Sequence, residues 1–365
     1  MNFKKQKPFI FFNAFLIAVF LLAALSYRGV NAPSAAAQSA KIQAPNASLP
    51  SGSLTRPINR PLVPMGSAGS IDDDKTGPRV VLKLGPTDYR MWYEAVPAPN
   101  DSKVGYAIST DGKTWTKLGA LASLNPSTDW EGGVNGEVSP NSILIENGVY
   151  KLWYHSFGND DKRRIGYATS TDGLNWTKNP NPVLDVGPAG SLEDQYVVEP
   201  RVFKIGSEYR MYYTANAVGQ IDIGTGRWFY ATSTDGVNWT RRGLIWNKLT
   251  DNGIGIVFDG TKWHAWYGIA FQSLNYASSD DGLNWTDGPS NPVLTWNSNP
   301  AAPDSEGVGD SVSVYKDGRE YRIMYTGGRY NSFGRNESIS LATIVTTGCS
   351  NSINQRFYIV KRNCF

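Results

Sequence analysis

Ile165-Gly166-Tyr167-Ala168-Thr169-Ser170-Thr171-Asp172-Gly173-Leu174-Asn175-Trp176 is the stretch that decides the fold. Its first half is strand-like, with β-branched and aromatic residues set among small ones. Asp172-Gly173 then makes a turn, because Asp hydrogen-bonds the backbone close to it and Gly accepts φ > 0. Trp176 follows as a large apolar residue just past the turn. Upstream, Tyr150-Lys151-Leu152-Trp153-Tyr154 reads as an aromatic strand leading into the same unit.

The unit recurs. The aromatic strand returns as Tyr89 to Tyr93, Tyr209 to Tyr213, Trp263 to Tyr267 and Tyr321 to Tyr325, which with Tyr150 to Tyr154 makes five copies. A second strand follows each: Val104 to Ala107, Ile165 to Ala168, Trp228 to Ala231, Leu274 to Ala277 and Ile339 to Ala342. An Asp-Gly turn then leads to Trp115, Trp176, Trp239 and Trp285, but the fifth unit has no such Trp. Each unit also opens with a β-rich run, such as Pro200 to Phe203 or Val312 to Tyr315. Four short strands per unit, repeated about every 50 residues, predict the blades of a propeller. The fold expected is therefore all-β, a five-bladed β-propeller of four-stranded blades, with each Trp wedged between neighbouring blades. Arg60-Pro61-Leu62-Val63 echoes Asn181-Pro182-Val183-Leu184. The segment near residue 61 is thus expected to complete the ring against the fifth blade.

Composition agrees with this reading and narrows the function. Charged residues are 18% and hydrophobic residues 41% of the 365, which excludes a disordered chain. The net charge of +3 gives no sign of the concentrated basic face that nucleic acids demand. Lys4, Lys5 and Lys7 precede an uncharged, mostly apolar run from Pro8 to Ser26. Residues 1–32 are read as a signal peptide or, if uncleaved, a membrane anchor. In both cases the protein is exported. Residues 33–58 are rich in Ala, Pro, Ser and Asn and read as a flexible linker. The propeller is expected over 59–345 and a tail over 346–365. Cys349 and Cys364 are the two cysteines, and in an exported chain they are expected to form a disulfide.

These repeats resemble the five-bladed glycosidase propellers, the superfamily that holds glycoside hydrolase families 43, 62, 32, 68, 117 and 130. The string from Ile165 to Trp176 and Asn181-Pro182-Val183-Leu184 carry the resemblance, which spans roughly residues 60 to 345. The turns also resemble the Asp boxes of sialidases, and Ser278 to Trp285 fits that spacing. Sialidases, however, usually have six blades and need three arginines around a carboxylate. The superfamily resemblance implies carboxylates at the start of the innermost strands, around a central funnel. Cleaving a glycosidic bond needs a protonated carboxyl near the leaving oxygen and an ionised one on the other side of the sugar.

Glu199 is the first candidate. An acid after Val197-Val198, on a strand expected to be buried, is costly unless paired or protonated. Val198-Glu199-Pro200-Arg201 is similar to the Glu-Asp-Pro-Arg of family 130, where the acid before Pro protonates the leaving group. Families 43 and 32 carry the acid two residues before Pro, where this chain has Val198. The second carboxylate is expected from Asp72-Asp73-Asp74, with Asp73 or Asp74 favoured, although Gly77 stands where family 43 has its Asp. In the second blade Asn141 replaces a family 43 Asp, and Glu137 is a substitute acid. Glu137, Asn141, Arg79, Arg201, Asp310 and Trp130 are the expected substrate-binding residues, the arginines as grips on anionic or hydroxyl groups. Trp130, Trp228 and Trp296 are candidate stacking platforms. His155 and His264 are read as core groups.

No metal cluster and no organic cofactor is expected. A central ion held through water, as in some family 43 relatives, is the one exception that the resemblance leaves open. The expected function is a secreted, monomeric, glycoside hydrolase-like protein with a carbohydrate substrate. The alternatives are a non-catalytic propeller that binds carbohydrate or protein, and a family 130-like phosphorylase.

Overall fold

The computed structural model describes residues 49–363 apart from 51, 99–101, 221–223, 252, 332–333, 347–349 and 355–356. The export segment, most of the linker, and both Cys349 and Cys364 lie outside the described residues. Within them the chain is all-β apart from three single turns of 3-10 helix.

After a two-residue strand β1 (Leu54–Thr55), five antiparallel meanders follow one another. The first is β2 (Lys75–Gly85), β3 (Asp88–Val96), β4 (Lys103–Ser109) and β5 (Thr116–Ala120). The second is β6 (Glu137–Glu146), β7 (Val149–Phe157), β8 (Arg163–Ser170) and β9 (Thr177–Lys178). The third is β10 (Tyr196–Ile205), β11 (Glu208–Asn216), β12 (Gly226–Ser233) and β13 (Thr240–Thr250). The fourth is β14 (Ile254–Phe258), β15 (Trp263–Ile269), β16 (Ser273–Ser279) and β17 (Thr286–Asp287), with β18 (Leu294–Thr295) also on β16. The fifth is β19 (Gly307–Asp317), β20 (Glu320–Asn331) and β21 (Gly334–Val345), and a hairpin of β22 (Ser350–Asn354) and β23 (Phe357–Asn363) ends the chain. The aromatic strands of the sequence are the second strands of these five blades.

The first strands touch in a cycle: β2 against β6, β6 against β10, β10 against β14, β14 against β19, and β19 against β2. A buried core lies between each blade and the next. Trp92 packs with Leu152 and Trp176, Trp153 with Val202 and Met211, Tyr212 with Trp263, Trp266 with Tyr321, and Met91 with Met324. The Trp after each turn does wedge between blades. Trp176 stands edge-on to Trp92 at 6.5 Å, Trp239 to Trp153 at 6.4 Å and Trp285 to Tyr212 at 6.3 Å. The turn is built as its residues dictate. Ser170 Oγ accepts the Gly173 N–H at 2.9 Å, and Asp172 Oδ1 accepts the N–H groups of Leu174 and Asn175 at 2.8 Å.

The fifth blade obtains its fourth strand from before the first. Leu54 pairs with Ile344 and Thr55 with Thr343. Val63 bridges Ile339 just as Leu184 bridges Ile165, so the Pro61-Leu62-Val63 echo is structural. The linker expected over 33–58 therefore ends earlier: Thr55 is in a sheet, and Arg56 is ion-paired to Asp304 at 2.7 Å. A sequence signal for this was present, since Thr55-Arg56 matches Thr116-Lys117, Thr177-Lys178 and Thr240-Arg241.

One polar device recurs around the blades. A buried second-strand tyrosine donates to an acid that also receives a basic side chain. Tyr93 and Lys117 meet Asp72 at 3.0 and 2.8 Å, and Tyr154 and Lys178 meet Glu131 at 2.8 and 2.7 Å. Tyr213 and Arg241 meet Glu193 at 3.1 and 2.6 Å, and Tyr325 and Arg56 meet Asp304, both at 2.7 Å. In blade four the polarity is swapped. Asp287 stands where the other blades have Lys or Arg, so the acid comes from the fourth strand and the base, Lys248, from blade three.

Candidate active site

The first strands begin with breaks in register, between Gly77 and Val80, Pro140 and Ser142, Val198 and Arg201, and Gly309 and Val312. A bulge re-aims the side chain it carries. Glu199 and Asp310 sit at these breaks with φ of 55° and 57°, a left-handed conformation that non-glycine residues hold only when their surroundings enforce it.

For Glu199 the surroundings are a ring of N–H donors. Oε1 accepts from Arg79 Nη1, and Oε2 accepts from Asn141 Nδ2 at 3.0 Å and Arg201 Nη2 at 3.2 Å. Its backbone N–H meets His155 Nδ1 at 3.4 Å, and that nitrogen also lies 3.0 Å from Asn141 Oδ1. Burial, with Arg79 and Arg163 nearby, pushes His155 well below the usual histidine range, so the ring is neutral. Glu199 is 3% exposed.

A second acid shares Arg79. Arg79 Nη2 donates to Glu94 Oε2 at 2.8 Å, and Ser102 Oγ donates to Oε1 at 3.3 Å. Burial alone would raise Glu94, but Arg79 and Lys75 outweigh it and hold the carboxyl down at about 2. Glu94 pairs across the sheet with Gly77. A Cβ on Gly77 would lie 2.6 Å from Glu94 Oε2. A side chain at 77 would displace the carboxylate of Glu94 from its place beside Arg79.

Lys75 extends the cluster. It bonds Asp310 at 2.8 Å and pairs with Glu337 at 3.2 Å and Glu94 at 3.7 Å. Asp310 would be raised by burial, yet Lys75 holds it below the ordinary aspartate value. Glu137 goes the other way: burial pushes its carboxyl up against the pull of Arg163, which pairs with it at 2.9 Å. Glu137 and Asp310 keep 21% and 26% of their side chains exposed, so of these acids they are the ones open to a ligand. Beside Asp310, Asp251 accepts the N–H groups of Ala270 at 2.8 Å and Phe271 at 3.1 Å, and burial raises it to about 6.

The structure thus brings together Glu199, Glu137, Asn141, Arg79, Arg201 and Asp310 from the sequence-derived set. Among the described residues, no hydrogen bond or ion pair joins Asp73 or Asp74 to them. Asp73 accepts the N–H groups of Gly69 at 2.6 Å and Ala98 at 2.9 Å, and Asp74 donates its own N–H to Val96 at 3.0 Å. Asp194 does the same work as Asp73 in blade three, bonding Gly190 and Val218. Trp130 stacks one face on Tyr154 at 6.0 Å and donates to Pro180 O at 2.9 Å. Trp228 is no platform: it is fully buried between blades three and four, against Trp246 and Trp285. Trp296 is exposed.

Sequence reasoning missed Glu94, Lys75 and the role of His155. The signal lay in the repeats. The residue after the second-strand tyrosine is Glu94, His155, Thr214, Gly268 or Thr326. The lone acid and the lone histidine of that series are the two that reach Arg79 and Glu199.

Below the cluster, a cavity of about 370 Å³ runs among the first strands of all five blades. Arg79, Asn141, Arg201 and Ser313 line it together with apolar residues such as Ile143, Val202 and Ile256. Glu94, Glu137, Glu199 and Asp310 are not among its lining residues, and the acid that lines it is Glu146.

Comparisons with known proteins bear on the fold and the family. The sequence profile of the glycoside hydrolase 130 family, described as β-1,4-mannooligosaccharide phosphorylase, matches residues 135–257, a third of the chain. A 1,2-β-oligomannan phosphorylase of Thermoanaerobacter sp. (strain X514) is 26% identical over 182 residues. That match covers 47% of this chain and spans 58% of the length of the relative. Among solved structures, a glycoside hydrolase superimposes with a TM-score of 0.62 at 18% identity, over 78% of this chain and 92% of the other. A second comes from work on family 130, described as containing glycoside hydrolases that target β-1,2 mannosidic linkages in Candida mannan. It gives a TM-score of 0.57 at 17% identity, over 82% and 96% of the two chains. A family 117 glycoside hydrolase of Zobellia galactanivorans also gives 0.57, at 16% identity, over 82% and 91%. The likeness to solved structures is one of fold. The resemblance read from the repeats holds: this chain is similar to the five-bladed propeller glycosidases, and over its second and third blades its sequence is similar to family 130.

Proposed function

We propose that the protein is a glycoside hydrolase acting on β-mannosides, with its reaction at the mouth of the Glu94–Arg79–Glu199 cluster. The observation that carries this reading is a set of neighbouring carboxyls driven in opposite directions. Glu137 is pushed up by burial, whereas Glu94 and Asp310 are held down by Arg79 and Lys75. Such a split separates the acid from the base. Glu137 is assigned as the proton donor to the leaving oxygen, and Asp310 as the ionised carboxylate of the pair. The role of acid expected for Glu199 passes to Glu137. The bonds to the Glu199 carboxylate come from N–H donors, the pattern of an acceptor, and it serves to hold Arg79, Asn141 and Arg201 in place.

Support for a mannoside comes from the names of the relatives. Water is favoured over phosphate because the cations of the cluster are already engaged. Arg79 is held by Glu94 and Glu199, Lys75 by Asp310 and Glu337, Arg163 by Glu137, and Arg201 by Glu199 and backbone carbonyls. A phosphate needs such groups free. The reading also takes the blades as a closed ring, joined where residues 54–63 meet β21. It keeps the division into export segment, linker, propeller and tail, the Cys349–Cys364 bridge, and secretion as a monomer.

The test is turnover of β-1,2- and β-1,4-mannobiose and of aryl β-mannosides, with and without phosphate. Glu137→Gln should lose about 10²–10⁴-fold on the disaccharides and far less on aryl mannosides whose leaving groups need no proton. Asp310→Asn should lose activity on both. Mannose 1-phosphate formed only with phosphate makes the protein a phosphorylase. Binding of mannosides without turnover makes it a lectin-like propeller.

A further inference from the structure

Arg201 uses its whole guanidinium at the hub of the fold. Nε donates to Ile254 O at 2.6 Å and Nη2 to Val312 O at 2.8 Å. Nη1 donates to the carbonyls of Asn141 and Arg79, the latter at 3.4 Å. Those four carbonyls belong to β14, β19, β6 and β2, and Arg201 itself is on β10. One side chain therefore ties the first strands of all five blades. Its remaining bond, Nη2 to Glu199 Oε2 at 3.2 Å, joins the tie to the cluster. Arg201 is 6% exposed.

A metal ion does not fit this place. Backbone carbonyls converging from several strands are the ligands a hard cation would take. Here N–H donors fill them, and a divalent ion would face the guanidinium and Arg79 as like charges. Burial pushes Arg201 down to about 10, Arg79 adding to the shift and Glu199 opposing it. We propose that the guanidinium of Arg201 is the resident cation of this hub, standing where a central ion would sit, and that it both holds the five first strands together and orients Glu199. The tie between strands is independent of the proposed function; the orienting role rests on it.

The test pairs stability with turnover. The Tm of the unaltered protein should be the same with and without a chelator. Arg201→Ala should lower Tm by roughly 5–10 °C, since it strips a buried charge from its partners. Millimolar guanidinium or methylguanidine, well below denaturing levels, should restore part of the Tm and kcat with KM little changed. Equal concentrations of sodium, urea or calcium should not. Arg201→Lys, which keeps the charge but not the fork, should fold with an intermediate Tm and a reduced kcat. The inference is overturned if a chelator lowers the Tm of the unaltered protein, if calcium rather than guanidinium restores Arg201→Ala, or if Arg201→Lys matches the unaltered protein in Tm and kcat. If no mannoside is cleaved, the Tm readings still decide the structural half.

Discussion

Two populations of acids in this protein look alike in sequence and differ in space. Asp72, Glu131, Glu193 and Asp304 each take one tyrosine hydroxyl and one basic side chain, blade after blade. Glu94, Glu137, Glu199 and Asp310 obey no such rule. Glu199 and Asp310 are reached by cations from another blade, Arg79 joining β2 to Glu199 on β10 and Lys75 joining β2 to Asp310 on β19, whereas Glu137 pairs with Arg163 inside blade two. A repeated contact solves a problem that every blade has, here the burial of a tyrosine hydroxyl. A contact made once solves a problem that only the centre has. Repetition in a propeller therefore marks scaffold, and departure from it marks candidate chemistry.

The largest effect should come from Glu94, the acid that departs furthest from its counterparts in the other blades. Glu94→Gln leaves Arg79 and Lys75 short of a buried partner, a loss of about 3–5 kcal/mol. Activity should fall roughly 10³-fold or more, as Arg79 no longer holds Glu199 from both sides. The pH dependence has a definite sign. Glu94 is held down from 4.5 to about 2 in the folded protein, so its contribution is fully present above pH 4.5 and is lost as pH falls through 2. That contribution is about 3 kcal/mol. Denaturation midpoints from pH 6 to pH 2 should therefore slope less for Glu94→Gln than for the unaltered protein. Equal slopes would mean that the carboxylate is not held by these cations.

The fold was legible because blades repeat. Five aromatic strands and four Asp-Gly turns fix the strand count and the wedge at each Trp, and both depend only on local chemistry. The residues of the central cluster were legible where they sit on a first strand, as with Glu199, Asn141 and Asp310. They were illegible where they depend on a bulge. Gly77 reads as a missing acid, yet it is the space into which Glu94 extends from the strand beside it. Asp73 reads as a reactive acid beside blade one, yet it is fastened by the amides of Gly69 and Ala98. No linear pattern tells a carboxylate that binds its own loop from one that reaches a neighbouring first strand, and only the comparison among blades separates them.

An acid of the repeated clip, in which one carboxylate holds a buried tyrosine hydroxyl and a basic side chain, should behave as scaffold. Asp72→Ala strands the buried Tyr93 hydroxyl, whose hydrogen bond goes to Asp72, and takes a partner from Lys117. The expected cost is about 1–3 kcal/mol, read as a lowered denaturation midpoint. The folded fraction should keep kcat and KM within about twofold, because no bond runs from Asp72 to the cluster. A tenfold loss of kcat at full folding would break the division between the two populations and return the acidic loop to the active site.

The smallest effect should come from blade four, where the clip is reversed. Asp287 keeps 44% of its side chain exposed, whereas Asp72 keeps 3%. The Tyr267 hydroxyl also accepts from Lys248 Nζ at 2.9 Å, and at this exposed edge water can replace Asp287 as the acceptor of its proton. An exposed pair contributes about 0–1 kcal/mol and is screened by salt. Asp287→Ala should therefore shift the midpoint by no more than that, and the shift should shrink further in 1 M NaCl, whereas the cost of Asp72→Ala should persist. If the two variants lose equal stability at both salt concentrations, the swapped polarity in blade four is as firm a fastening as the buried clips, and exposure does not grade them.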